Sequence, residues 1–300
     1  MTDYGPMKIP AWLKPGDRMR VIAPSGGIRN LEQFEKGLAF WRSQDFEIIV
    51  GQNVRKRVSY LAGSDAQRLA DWKIAWNDPD CRAILCARGG YGTARLLNYG
   101  WQVPADSTPK WVLGFSDITT LLWALVSQGI VSLHGPVLTT ISDEPKWSLE
   151  RVLNFIVGNS IDELSGQSWR GGVATGRLLP ANLVVSTYLL GTPWLPSLDG
   201  AILAFEEINE PPYKLDRLIT AWHLNGALKN IAGVALGRFS GCDGADHSWT
   251  ATEVLRDRLG CLSIPIVADL PFGHGGPNAL LPVGLTATLD GNRGTLRIEN

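Results

Sequence analysis

A hydroxyl nucleophile, an imidazole and a carboxylate are enough for acyl transfer when the hydroxyl stands on a sharp turn, and Gly114-Phe115-Ser116-Asp117 places one there. The apolar run Trp111-Val112-Leu113 leads in and a strongly apolar stretch over 117–128 leads out. Ser116 therefore marks a strand-to-helix junction, where the first free backbone N–H groups and the positive end of the helix dipole face the same space. The mechanics are those of a nucleophile elbow, but the flanking Gly-x-Ser-x-Gly pattern is missing, and a plain helix N-cap suits the same position.

Only four histidines can serve such a serine as base. His223 falls in an amphipathic helix and His247 in the polar stretch Gly244-Ala245-Asp246-His247-Ser248, which suits structural or exposed roles. His274 lies in the Gly-rich loop Phe272-Gly273-His274-Gly275-Gly276, where the backbone can hold an imidazole near a ligand, and His134, at a strand end, is the second candidate. A carboxylate that accepts the Nδ1 proton must orient the ring. Glu206 and Glu207 directly follow the apolar run 201–205, where a carboxylate is costly to bury unless it is paired, and the residues alone leave both open.

Two glycine-rich loops complete the inventory. Arg88-Gly89-Gly90-Tyr91-Gly92 follows a strand and precedes a helix, which fits a phosphate loop or an oxyanion and substrate-backbone loop; it matches neither Gly-x-Gly-x-x-Gly nor a Walker loop. Pro24-Ser25-Gly26-Gly27 ends the first strand in the same manner, and both loops fall at the carboxyl edge of the sheet, where open α/β folds bind ligands.

The elements that must position these residues alternate. Strands at 20–23, 46–50, 83–86, 111–115 and 131–133 are interleaved with helices over 30–43, from Ser64 onward with Leu69, Trp72, Lys73 and Trp76 on one face, near 94–97 and over 117–128. This is the α/β pattern of a parallel sheet covered by helices. Alternation fades over 142–172 and resumes with strands at 175–179, 201–205 and 231–236, helices near 182–190, 215–225 and 250–259, and a closing hairpin of 285–289 with 295–298. The expected division is a nucleophile-bearing domain over 1–150, a linker over 151–174 and a second domain over 175–300.

Composition narrows the function. With 45% hydrophobic and 19% charged residues the chain is neither disordered nor a small disulfide scaffold, and a net charge of -1 argues against a nucleic-acid binder built on bulk positive charge. No apolar run reaches the roughly 18 residues of a membrane span and no secretory signal opens the chain, so a cytoplasmic protein with no membrane partner is expected. Cys81, Cys86, Cys242 and Cys261 form no CxxC pair and read as structural thiols. Most of the tryptophans read as core, with Trp72 and Trp76 offering a dimer surface.

Taken in order, Val21-Ile22-Ala23-Pro24-Ser25-Gly26-Gly27, Arg88-Gly89-Gly90-Tyr91-Gly92, Gly114-Phe115-Ser116-Asp117, His134-Gly135-Pro136, Glu206-Glu207 with Pro212-Tyr213-Lys214-Leu215-Asp216-Arg217, and Phe272-Gly273-His274 make a set that resembles the LD-carboxypeptidases, serine peptidases that include the microcin C immunity peptidases. The resemblance covers nearly the whole chain. It implies a Ser-Glu-His triad of Ser116, Glu206 and His274, an oxyanion hole from the backbone N–H groups of Gly90 and Asp117, and no metal or organic cofactor. It also implies an N-terminal flavodoxin-like parallel sheet with flanking helices, a smaller C-terminal α/β domain, a site between them and a homodimer. Arg88, Gly89, Tyr91, Ser25 and His134 are then the candidates for contact with substrate, with Arg88 the cation nearest the oxyanion loop. The substrate so implied is a muropeptide tetrapeptide that loses its terminal D-alanine in peptidoglycan recycling. The alternatives are an immunity peptidase that cleaves peptidyl or aminoacyl nucleotides and a non-catalytic two-domain binding protein.

Overall fold

In the computed structural model, residues 6–244 and 249–299 are described; His247 lies outside the described residues. Arg18–Ile22 (β1), Glu47–Val50 (β2), Cys81–Cys86 (β3), Trp111–Gly114 (β4) and Ser132–His134 (β5) alternate with helices Leu31–Arg42 (α1), Asp65–Asn77 (α2), Thr93–Asn98 (α3) and Thr119–Ser127 (α4). The five strands are parallel in the order β2-β1-β3-β4-β5, the flavodoxin-like arrangement expected. All four residues of β4 are buried, as a strand covered on both faces requires.

Ser64 opens α2 with a capping box to Gln67, and the buried face comprises Arg68, Leu69, Asp71, Trp72, Ala75 and Trp76, while Lys73 faces outward. The Trp72 and Trp76 rings stack at 5.3 Å and Trp101 lies 5.2 Å from Trp72, all three buried. These tryptophans are core and offer no subunit surface, because the helix needs them to cover the sheet.

The second half continues with Lys146–Ile156 (α5), Leu164–Ser165 (β6), Gln167–Arg170 (β7), Val173–Asn182 (β8), Leu183–Thr187 (α6), Ile202–Ile208 (β9), Pro212–Asn225 (α7), Gly233–Ser240 (β10) and Ala251–Leu259 (α8). Ile266–Ala268 (β11), Leu281–Val283 (β12), Thr286–Asp290 (β13) and Thr295–Ile298 (β14) complete it. The second sheet runs β6-β14-β13-β8-β9-β10-β11-β7. Its two end strands, β6 and β7, are separated in the chain by Gly166 alone, so the sheet curls back on itself around Leu178, Ile202, Val267, Phe272, Leu289 and Leu296. The stretch 151–174, expected as a linker, therefore carries the end of α5 and two strands of this sheet.

One further strand departs from the expected division. β12 leaves the second half and pairs antiparallel with β5, at the edge of the first sheet, where Pro282 needs no donor on its open side. Arg151 ties the same region down by donating to the Leu280 carbonyl at 2.9 Å. Helix α4, apolar on almost every face, is buried on almost every face, and its Trp123 Nε1 donates to the Pro180 carbonyl of the second half at 2.9 Å. Cys81, Cys86 and Cys242 are buried free thiols and Cys261 is an exposed one. Among the described residues no helix is long and apolar enough to cross a membrane.

Candidate active site

β4 ends at Gly114, a short 3-10 turn covers Ser116–Ile118, and α4 starts at Thr119. Ser116 takes φ +64°, a left-handed conformation that is uncommon outside glycine and that turns its side chain out of the junction. Room for it comes from Gly89: a Cβ there would stand 2.9 Å from Ser116 Cβ and 3.1 Å from its Oγ. Ser116, Phe115, Arg88, Gly89, Gly90 and His274 line one cavity of about 190 Å³, with Val137, Thr139 and Thr140 closing the far wall.

Asp117 does not face this cavity with its carboxylate. It is buried, and its Oδ2 accepts hydrogen bonds from Ser25 Oγ at 2.6 Å, Thr93 N at 2.9 Å and Thr93 Oγ1 at 2.9 Å. One carboxylate thus fastens both glycine-rich loops to the serine turn. Ser25, expected at the substrate, is fully buried, and its hydroxyl is spent on Asp117. Arg68 of α2 makes the second fastening, donating to the Pro24 carbonyl, to the Gly92 carbonyl at 2.8 Å and to Asp65. Sequence reasoning passed over Thr93 and Arg68; a charged residue beside the buried stripe of α2 was the available signal.

On the other wall, Glu206 is fully buried on β9, and its Oε2 accepts from His274 Nδ1 at 2.6 Å and from the His274 backbone N–H at 3.0 Å. The acceptor is a carboxylate, so Nδ1 carries the proton and Nε2 is the basic nitrogen. Gly273 makes the approach possible: its φ is +96°, and a Cβ there would stand 2.5 Å from Glu206 Cβ. Burial opposes charge on both partners, but it is outweighed. The bond and the charge of Glu206 hold His274 above the ordinary imidazole value, and His274 holds Glu206 below the ordinary carboxylate value. The His274 ring packs on Phe115 at 4.7 Å, beside the serine.

Glu207 points elsewhere. Its Oε1 accepts from Asn182 Nδ2 and Ile208 N, both at 2.9 Å, and its Oε2 accepts from Val184 N at 2.8 Å, while desolvation pushes its pKa up to about 7. Asn182, a residue the sequence did not single out, also donates to Glu206 Oε1 at 3.2 Å and so joins the two carboxylates. His134 is near but closed off. It is fully buried between Phe115 and Phe272, with ring centroids at 5.9 and 6.1 Å, neither ring nitrogen has a hydrogen-bond partner among the described residues, and desolvation lowers its pKa to about 4. That placement removes His134 from contact with substrate. His223 is structural, with Nε2 2.8 Å from the Arg258 carbonyl. Tyr91 is 50% exposed and lies 5.8 Å from the ring of Tyr60. Among the described residues Arg88 reaches only carbonyl oxygens, those of Gly27 and Gly89, at 3.4 Å.

A serine on a strained turn and a proton-bearing imidazole backed by a buried carboxylate line one pocket, which is the equipment of nucleophilic acyl transfer. Comparison with known proteins agrees with this chemistry. Residues 19–135 match the model of the LD-carboxypeptidase N-terminal domain and residues 175–289 that of the C-terminal domain. A protein of Synechocystis sp., provisionally named a carboxypeptidase, is 55% identical over 96% of each chain. The murein tetrapeptide carboxypeptidase of Pseudomonas aeruginosa is 31% identical over 94% of this chain and 96% of its own. Among solved structures, the muramoyltetrapeptide carboxypeptidase of Oxalobacter formigenes superposes with a TM-score of 0.83 at 28% identity, covering 94% of this chain and 97% of that one. MccF bound to glutamyl sulfamoyl guanosine reaches 0.88 over 98% of both chains at 21% identity, a likeness of fold alone.

Proposed function

Because the chain belongs to the LD-carboxypeptidase family of serine peptidases, we propose that it removes the terminal D-alanine from muropeptide tetrapeptides, with Ser116, His274 and Glu206 as its triad. The observation that carries the reading is the bond from His274 Nδ1 to the buried Glu206 beside the cavity that Ser116 lines. His274 Nε2 takes the Ser116 proton as Oγ attacks the scissile carbonyl. The backbone N–H groups of Gly90 and Asp117 receive the negative charge that forms on the carbonyl oxygen. His274 then passes its proton to the departing amine of D-alanine, and a water molecule, activated in the same way, releases the acyl group from Ser116.

The muropeptide is favoured over a peptidyl nucleotide by the relatives: the Pseudomonas aeruginosa murein enzyme is 31% identical, and the Escherichia coli microcin C7 self-immunity protein 23%. The same reading places the protein in the cytoplasm as a homodimer that acts on recycled wall fragments. Mass spectrometry of a disaccharide tetrapeptide, incubated with wild type and with Ser116→Ala, is the test. Loss of one D-alanine with wild type, reduced on the order of 10⁵-fold in the variant, is expected. Cleavage of a peptidyl nucleotide but not of the tetrapeptide would overturn the substrate, and undiminished turnover by Ser116→Ala would overturn the triad.

A further inference from the structure

We propose that Arg29, Arg57 and Arg88 form one anion site at the mouth of the Ser116 cavity, which takes the free terminal carboxylate of the peptide. The proposal rests on the peptidase reading and adds to it the group that would make the enzyme an exopeptidase. Arg88 lines the cavity together with Ser116 and His274, two residues before Gly90. Its Nη1 lies on the Gly26-Gly27 segment, so close that a Cβ on Gly26 would come within 2.3 Å of it. The stem of Arg57 packs against the same segment, with Cγ 3.3 Å from where a Gly27 Cβ would be, and Arg29 follows Gly27 by two residues. Two glycines without side chains therefore leave room at one loop for the Arg88 guanidinium and the Arg57 stem.

Among the described residues no carboxylate answers them. Arg57 donates only to the Ser59 carbonyl, Arg88 makes two long contacts to carbonyl oxygens, and the charges acting on Arg88 are those of Arg29 and Arg57, which add to burial in lowering its pKa. Elsewhere in the same half, Arg18, Arg20, Arg55, Arg68 and Arg95 each meet an Asp or Glu. Like charges gathered without a counter-ion, beside a nucleophile, suit an anion carried in by the substrate. A guanidinium matches a carboxylate or a phosphate in bidentate geometry. The terminal carboxylate lies one residue past the scissile carbonyl, about 3.8 Å between Cα atoms, so the first cation on the cavity wall is within its reach. Arg88 would hold the carboxylate directly, and the exposed Arg29 and Arg57 would draw it in.

The test is binding to Ser116→Ala of the tetrapeptide as free acid, of the same peptide as C-terminal amide, and of adenosine monophosphate, with D-alanine release by wild type measured in parallel. The acid is expected to bind at least 10-fold tighter than the amide, a preference that weakens as salt rises. Adding Arg88→Met should erase the preference, Arg88→Lys should restore part of it, and Arg29→Gln with Arg57→Gln should narrow it severalfold and flatten its salt dependence. Equal binding of acid and amide, or a preference that survives these changes in variants whose circular dichroism matches the parent, overturns the proposal. Adenosine monophosphate binding more tightly than the acid and displacing it assigns the site to phosphate and likewise overturns it. D-alanine release without arginine dependence sinks the anion site and leaves the peptidase reading; acid preference without any D-alanine release does the reverse.

Discussion

The two walls of the cavity are built on opposite principles. On the serine wall, position comes from the chain itself: β4 ends, Ser116 takes a left-handed φ, α4 begins, and Asp117 fastens the neighbouring loops through bonds from neutral donors. On the histidine wall, a loop reaches back across 68 residues of sequence, and one oxygen of one carboxylate receives both the ring and the backbone of His274. The serine wall is therefore held by neutral donors on one carboxylate, and the histidine wall by the pairing of two titratable side chains. Dividing the proposed triad in this way would let its base be tuned by pairing without disturbing its nucleophile.

The deepest break in this contrast is Glu206→Gln, expected to lower turnover about 10³- to 10⁴-fold while the serine wall keeps its shape. His274 must be neutral to act as base, so wild-type kcat/KM should rise with pH along a limb above 6.5, the ordinary imidazole value, and the variant limb should move down. A pH–rate profile whose limb stays in place would show that the pair does not set the base. The same shifts give a stability window. His274 contributes fully below 6.5 and loses its contribution as pH rises through its raised value, whereas Glu206 contributes above 4.5 and loses it as pH falls through its lowered one.

Gly273→Ala strikes the histidine wall through the backbone. Its Cβ would collide with Glu206 at an unfavourable φ, so kcat should fall about 10- to 100-fold together with Tm. Calorimetry with steady-state kinetics reads both, and an intact kcat would mean that the loop has other ways to bring His274 in. Asp117→Asn tests the serine wall. Weakened acceptance from Ser25 and Thr93 should cost about 1–3 kcal/mol in urea unfolding and several-fold in kcat, with the pH limb unmoved. A shifted limb would erase the distinction between the walls.

His134→Leu is the smallest expected change. Turnover should stay within about twofold of wild type if the ring takes no part in chemistry. A folded pKa of about 4 for His134 means that wild-type stability falls as pH drops from 6.5 toward 4, by on the order of 3 kcal/mol at the end. Urea unfolding at pH 7 and at pH 4.5 should show that loss in wild type and much less of it in the variant.

Local pattern was enough for the first sheet and its helices, since each strand of the parallel layer is an apolar run between turn residues, and for the serine turn, since a strand-to-helix junction is a matter of neighbouring residues. It also located the two glycine loops at the edge of that sheet. Contacts between distant segments decided the rest. The residues alone left two histidines and two glutamates open, and only the folded chain pairs His274 with Glu206, closes His134 between phenylalanines and turns Glu207 toward Asn182 and α6. Only the folded chain spends the Ser25 hydroxyl on Asp117, sends β12 across to the first sheet and sets Arg88 and Arg57 against the Gly26-Gly27 segment. The physical reason is one of range: periodicity and turn preference act within a few residues, whereas burial, pairing of charges and the exclusion of water arise between segments that the fold alone brings together.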